Sequence, residues 1–99
     1  MMAAFKYNEI LKLKDMLMAK KIPFEEYQRN NGLQITYPSK EFVCSAIEFD
    51  GSYGSVYDLI EIMGLVSENE SEDSVLGWLS AEEVFRRIES HWKAQMDGL

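Results

Sequence analysis

The chain has 99 residues, 46% of them hydrophobic and 12% aromatic, which is the composition of one folded domain and excludes a disordered chain. No apolar run approaches the roughly 18 residues that span a bilayer. Charged residues interrupt the start "MMAAFKYNEILKLKD", so we expect no signal peptide. Cys44 is the single cysteine and agrees with a reducing compartment. We therefore expect a soluble, cytoplasmic protein.

The net charge of −7 is unevenly distributed. Residues 1–40 carry a net charge of +3 and residues 41–99 a net charge of −10. Direct nucleic-acid binding needs a concentrated basic face, so we expect none. An acidic surface suits a basic partner, but a moderate negative charge also simply keeps a protein in solution, and that is the simpler interpretation.

The first third of the chain predicts a helix and a hairpin. Ile10, Leu13 and Leu17 form an apolar stripe within a helix from Ala4 to about Lys21, which Pro23 terminates. "PFEEYQRNNGLQITYP" predicts a β-hairpin with Asn31-Gly32 as its two-residue turn.

The remainder predicts more strands and a second helix. "EFVCSAIEF" is apolar on both faces and indicates a central strand. After the turn "DGSYGS", the segment "VYDLIEIMGLV" fits helix or strand, and we favour a strand. "SENESEDS" indicates a loop and "VLGWL" a short extended segment. Ser80 and Glu83 form a capping box at the start of the last helix. The predicted fold is a two-layer α+β domain: an N-terminal helix, an antiparallel meander of three to four strands, and a C-terminal helix.

The stretch "EFDGSYGSVYDLIE" raises the possibility of a ligand loop. An EF-hand alignment places oxygen atoms at several ligand positions, but Ser55 replaces the required turn glycine. The stretch also lacks the Gly-Lys-Ser/Thr of a phosphate-binding loop. We interpret it as a turn with Tyr53 at its tip, either a turn alone or a turn that also contacts a partner.

The chain has one cysteine and one histidine, so candidates for a catalytic nucleophile or base are few. We expect a non-enzymatic protein without a cofactor or a metal. Cys44 falls in the predicted central strand and His91 at the edge of the last helix, where structural roles are usual. The alternative is a small enzyme or ligand-binding domain, whose polar groups would be Tyr37, Cys44, Asp58 and His91.

The densest acidic run lies in the predicted loop "SENESEDS" and fits a solvated loop. Together with Glu61, Glu82 and Glu83, the run also fits a surface that mimics the phosphates of nucleic acid and captures a protein that normally binds nucleic acid. The candidate partner-binding residues are Tyr53, Asp58, Glu61, Glu68, Glu70, Glu72 and Asp73.

Three segments, "KKIPFEEYQRNNGLQITYPS", "CSAIEFDGSYGSVYDLIEIMGL" and "SVLGWLSAEEVFRRIESHW", resemble a group of small proteins encoded by phages and prophages of Gram-positive bacteria. The most recognisable parts are Gly51-Ser52-Tyr53-Gly54, Glu61-Ile62-Met63-Gly64 and Leu79-Ser80-Ala81-Glu82-Glu83-Val84. The resemblance carries over no catalytic residue. It implies an accessory phage product that acts in the cytosol of the bacterial host, a class that often inhibits or adapts larger host machines.

The favoured hypothesis is therefore an acidic accessory protein that binds a basic surface on a host or defence protein, as an inhibitor such as an anti-CRISPR does. The alternatives are a homodimeric structural part of the phage programme and the small ligand-binding domain described above.

Overall fold

The computed structural model describes residues 6–98 and consists of one five-stranded sheet with a helix at each end of the chain. The elements are α1 (Asn8–Ala19), β1 (Glu25–Arg29), β2 (Gly32–Tyr37), β3 (Cys44–Glu48), β4 (Ile60–Met63), β5 (Val75–Leu79) and α2 (Ala81–Asp97). The strands lie in the order β1-β2-β3-β4-β5, and every neighbouring pair is antiparallel. The predicted α+β meander is confirmed, with five strands because the segment expected to be merely extended pairs with β4.

Both helices pack on the same face of the sheet, so the core lies between two layers. On β2, Leu33, Ile35 and Tyr37 face this core, and Cys44 and Ala46 do so on β3. The helices contribute an apolar stripe from α1 and four buried residues from α2. The opposite face of the sheet carries no helix within residues 6–98, and we call it the open face.

The hairpin is confirmed, but its predicted turn position is wrong by one residue. Arg29 pairs with Gly32, so the two turn residues are Asn30 and Asn31. Their φ values of 38° and 65° meet the requirement for positive φ at both central positions, which asparagine tolerates. Gly32 is instead the first residue of β2. It is needed there because a Cβ would lie 2.0 Å from the carbonyl oxygen of Glu48 on β3.

Two helix predictions have different outcomes. The capping box of α2 is confirmed: Ser80 Oγ accepts from Glu83 N, and Glu83 Oε1 accepts from Ser80 N. The first helix begins at Asn8, whereas the prediction began at Ala4, which lies outside the described residues. Lys6 and Tyr7 are not helical.

The ambiguous segment 56–63 divides into two parts. Residues Ser55–Tyr57 form a short 3-10 turn, and Ile60–Met63 form the strand that pairs with β3. The favoured strand interpretation is confirmed for the second part only. Residues 67–74 form the predicted loop, with turns and no strand. Neither of the two helices is long and apolar enough to cross a membrane.

We expect Gly32→Ala to destabilise the protein by more than about 2 kcal/mol, because the new methyl group must displace the β3 backbone. Urea unfolding followed by circular dichroism measures this change. Gly98→Ala is the matched control, since a Cβ there meets its nearest atom at 3.5 Å, and it should have little effect. Equal stability of both variants would contradict the proposed close approach.

Candidate protein-binding surface

The first turn of α1 is capped by carboxylates that are distant in sequence. Its N-cap residue, Tyr7, forms no side-chain capping bond. Instead, Asp58 Oδ1 accepts from the backbone N–H groups of Asn8 and Glu9 at 2.8 and 3.1 Å. Glu48 Oε1 accepts from Ile10 N at 3.1 Å. Acceptor oxygens satisfy the free N–H groups at this end of a helix, so Glu48 of β3 and Asp58 of the segment after it hold α1 in place.

The same capping extends to the second helix and to the hairpin. Glu9 Oε1 accepts from Ala81 N at 2.8 Å, at the beginning of α2. Asp50 accepts from Lys6 Nζ at 3.1 Å, from Asn31 Nδ2 at 2.8 Å and from the Tyr7 hydroxyl. These bonds hold the pKa of Asp50 down, at about 2, with the Tyr7 contact as the largest cause. The stretch 48–61 therefore links four parts of the fold: β3 and β4, which it connects, the beginning of α1, and the turn between β1 and β2.

Asp58 is thus a capping residue. Its φ of 56° is in the left-handed region, which aspartate tolerates better than most residues, and its carboxylate points to α1. Its partner-binding role stays a prediction. One of its two carboxylate oxygens, Oδ1, already accepts hydrogen bonds from α1.

The loop after β3 and the end of β5 together present a group of exposed large side chains, which we call the aromatic corner: Tyr53, Val56 and Tyr57 of the loop and Trp78 of β5. Their exposed fractions are 63%, 88%, 70% and 54%. Tyr57 and Trp78 contact each other in a tilted pair with ring centroids 5.6 Å apart. The predicted exposure of Tyr53 is confirmed, and its three neighbours in the corner were not singled out from the sequence.

Close backbone packing fixes this corner in position. Tyr53 N donates to Glu61 Oε1 at 2.8 Å. Gly77 of β5 allows the approach, because a Cβ there would lie 2.5 Å from the Cβ of Tyr53. Gly54, with φ of 97°, lies against the Trp78 backbone in the same way. Because the backbone of the corner is already ordered, binding a partner costs little backbone conformational entropy there.

Two acidic side chains of the loop 67–74, Glu70 and Asp73, are bonded to other groups of the fold. Arg87 of α2 forms a bidentate ion pair with Glu70, which also accepts from Ser67 N at 3.0 Å. These bonds lower the pKa of Glu70 to about 2, and the Arg87 hydrogen bond is the main cause. Asp73 accepts from the Ser71 hydroxyl at 2.6 Å and from Val75 N at 3.1 Å.

Glu68 and Glu72 differ from their two acidic neighbours. Both are exposed, and neither forms an ion pair or a side-chain hydrogen bond with residues 6–98. They are therefore the members of the acidic run whose charge is available to a partner.

A pocket of about 370 Å³ lies on the open face of the sheet. Phe42, Ile47, Phe49 and Met63 supply its apolar lining, and Arg29 and Glu61 stand among its polar lining residues. We call it the open-face pocket. Glu61 also receives the hydrogen bond from Tyr53, so it marks the border between this pocket and the aromatic corner.

The four residues of the ligand-binding alternative do not form one site. The Tyr37 hydroxyl and His91 Nδ1 are 2.6 Å apart, and Tyr37 is the register partner of Cys44. Burial raises the pKa of the Cys44 thiol to about 12, which leaves it unreactive. Asp58 instead lies at the beginning of α1.

Glu48 is a buried titratable residue that the sequence analysis missed. It is fully buried, and its Oε2 has no hydrogen-bond partner as a carboxylate within the described part of the chain. Burial is the main cause that raises the pKa of Glu48 to about 8, followed by a hydrogen bond to Asp58. When protonated, Glu48 can donate that hydrogen bond. The signal in the sequence was the alternation Cys44, Ala46, Glu48, which points a glutamate into the core.

No group of three or more potential metal ligands of the His, Cys, Asp and Glu types comes together among residues 6–98. Comparison of the chain with protein-family models, with curated proteins and with solved structures found no match.

We expect Glu48→Gln to flatten the pH dependence of stability. In the folded wild type, Glu48 stays protonated up to about pH 8. In the unfolded chain, Glu48 loses this proton near its ordinary pKa of 4.5. The free energy of unfolding should therefore fall with rising pH across this window, by up to about 1.4 kcal/mol per pH unit. Urea unfolding at intervals from pH 5 to about pH 9 measures the slope.

Glu41→Gln, which changes an exposed glutamate, is the control and should keep the wild-type slope. A Glu48→Gln variant with an unchanged slope would mean that Glu48 is ionised in the folded protein.

Proposed function

We propose that this protein is a non-enzymatic binding domain that captures a partner protein with a basic surface. The observation that carries the proposal is the aromatic corner, a contiguous group of rigidly held and exposed large side chains. Tyrosine and tryptophan are enriched at the energetically dominant positions of protein interfaces. Val56, the neighbour of Tyr57 in the chain, is 88% exposed and adds apolar surface.

The chemistry of the corner favours a cationic group as its contact. Tyr57 and Trp78 are largely exposed, and aromatic rings attract arginine and lysine side chains to their faces. Glu61 lies at the border of the corner and adds a negative charge. An arginine of the partner could stack on a ring and direct its guanidinium toward this carboxylate.

The acidic loop supports the same choice of partner. β5 begins next to this loop and ends next to the aromatic corner, so the two flank one edge of the sheet. Three strand residues, Val75 to Gly77, lie between the end of the loop and Trp78 of the corner, a span on the order of 13 Å. Glu68 and Glu72 would therefore lie at the rim of a contact centred on the corner, where charges mainly increase the association rate.

Two observations support a non-enzymatic role. The thiol of Cys44 is buried and held protonated, and His91 is engaged with Tyr37. The carboxylates of Glu48, Asp50 and Asp58 are used to join α1 to the rest of the fold. In this proposal the partner is a host or defence protein that handles nucleic acid, and the acidic domain inhibits it by occupying its basic surface.

We expect wild-type protein to capture one basic protein from the lysate of a Gram-positive host at low salt. Tyr53→Ala/Tyr57→Ala should weaken the capture about 30-fold or more, because the loss of even one aromatic anchor that the partner buries costs about 2 kcal/mol or more. Glu68→Lys/Glu72→Lys should weaken it at low salt and remove most of its salt dependence. Affinity capture followed by mass spectrometry, and then titration of the purified partner, gives both numbers.

Each variant has a matched control elsewhere on the surface. Met18→Ala/Met96→Ala removes two exposed apolar side chains from the helices, and Asp15→Lys/Asp97→Lys reverses two exposed acids. Both should bind as the wild type does. Capture that all four variants weaken equally, or that none weakens, would contradict the proposed surface.

A further inference from the structure

The open face of the sheet has an apolar centre. In a two-layer domain the face without helices normally carries polar side chains. Here Phe42 and Met63 are 42% and 49% exposed, and Ile47 and Phe49 line the open-face pocket beside them. A contiguous apolar surface of this kind marks an interaction site.

The charged side chains of the pocket lie on opposite flanks of this centre. Arg29 belongs to β1 and Glu61 to β4, on either side of the central strand β3. They form no ion pair with each other in the described structure. Glu25 also belongs to this face, but its Oε2 accepts from Lys40 N at 2.7 Å and is directed at the loop after β2.

This arrangement is complementary to itself under a two-fold rotation. If two open faces pack together about an axis parallel to β3, the β1 side of one copy lies across from the β4–β5 side of the other. Arg29 of each copy is then on the same side as Glu61 of the other copy, so the opposite charges approach each other twice. The apolar side chains of each copy enter the pocket of its mate.

We propose that the open face is the interface of a homodimer with its two-fold axis along β3. The contact is centred on β2, β3 and β4, because Tyr53 lies over Gly77 and limits access to β5. The proposal goes beyond the binding of a basic partner and uses a neighbouring surface, which shares Glu61 with the border of the aromatic corner. A second copy matches both charges of the pocket, because it brings its Glu61 to Arg29 and its Arg29 to Glu61. The dimer would present two aromatic corners.

Sedimentation equilibrium at chain concentrations from about 1 µM to 1 mM tests the proposal, since this range covers weak and moderate dissociation constants. We expect the wild type to reach twice the chain mass of 11.5 kDa. Arg29→Glu or Glu61→Arg alone should weaken dimerisation about tenfold or more, because like charges then face each other. The exchange Arg29→Glu/Glu61→Arg should restore it to within a few-fold of the wild type.

Met63→Lys places a charge in the apolar centre and should give a monomer over the whole concentration range. Met18→Lys is its matched control, since Met18 is an exposed methionine on α1, and it should dimerise as the wild type does. A wild type that stays monomeric at about 1 mM would overturn the proposal. So would a dimer that Met63→Lys and both single charge reversals leave unchanged. Monomeric Met63→Lys keeps the aromatic corner, so partner capture can be tested separately.

Discussion

The structure depends on the capping of α1 by Asp58 and Glu48. A helix leaves its first N–H groups without partners, and those of Asn8, Glu9 and Ile10 are satisfied by carboxylates that lie about forty to fifty residues later in the chain. Glu9 of α1 in turn accepts from Ala81 N at the beginning of α2, so its carboxylate ties the second helix to the first. These bonds define how both helices lie on the sheet, and they fix the path of the chain between β3 and β4.

This capping determines which charges and which apolar groups remain for binding. Glu48, Asp50, Asp58 and Glu70 all belong to the strongly acidic part of the chain, yet each is used by contacts within the fold. The net charge of −7 therefore overstates the acidic surface that a partner meets. At the same time, a loop anchored at Asp50 and Asp58 holds the residues between them outward, and these include Tyr53, Val56 and Tyr57.

Much of the fold followed from local patterns, since the apolar stripe of α1, the asparagine turn and the capping box at Ser80 each act over a few residues. The missed features are long-range. The start of α1 could not be located because its cap, Asp58, is not next to it in sequence. Gly32 was assigned to the turn because its contact with Glu48 exists only once β2 and β3 pair. For the candidate site, the exposed tip at Tyr53 was predictable from its turn, but Trp78 joins it only through the β4–β5 pairing.

Amide hydrogen exchange measured by NMR tests the central claim most directly, by comparing the wild type with Asp58→Ala and Asp58→Asn. If Asp58 holds the loop to α1, the amides of Asn8, Glu9 and Tyr53 are protected in the wild type. They should exchange about tenfold faster in Asp58→Ala, which removes a cap worth about 1–2 kcal/mol. Asp58→Asn keeps an acceptor oxygen and should retain most of the protection. Unchanged exchange at Tyr53 in Asp58→Ala would contradict the claim that this cap positions the aromatic corner.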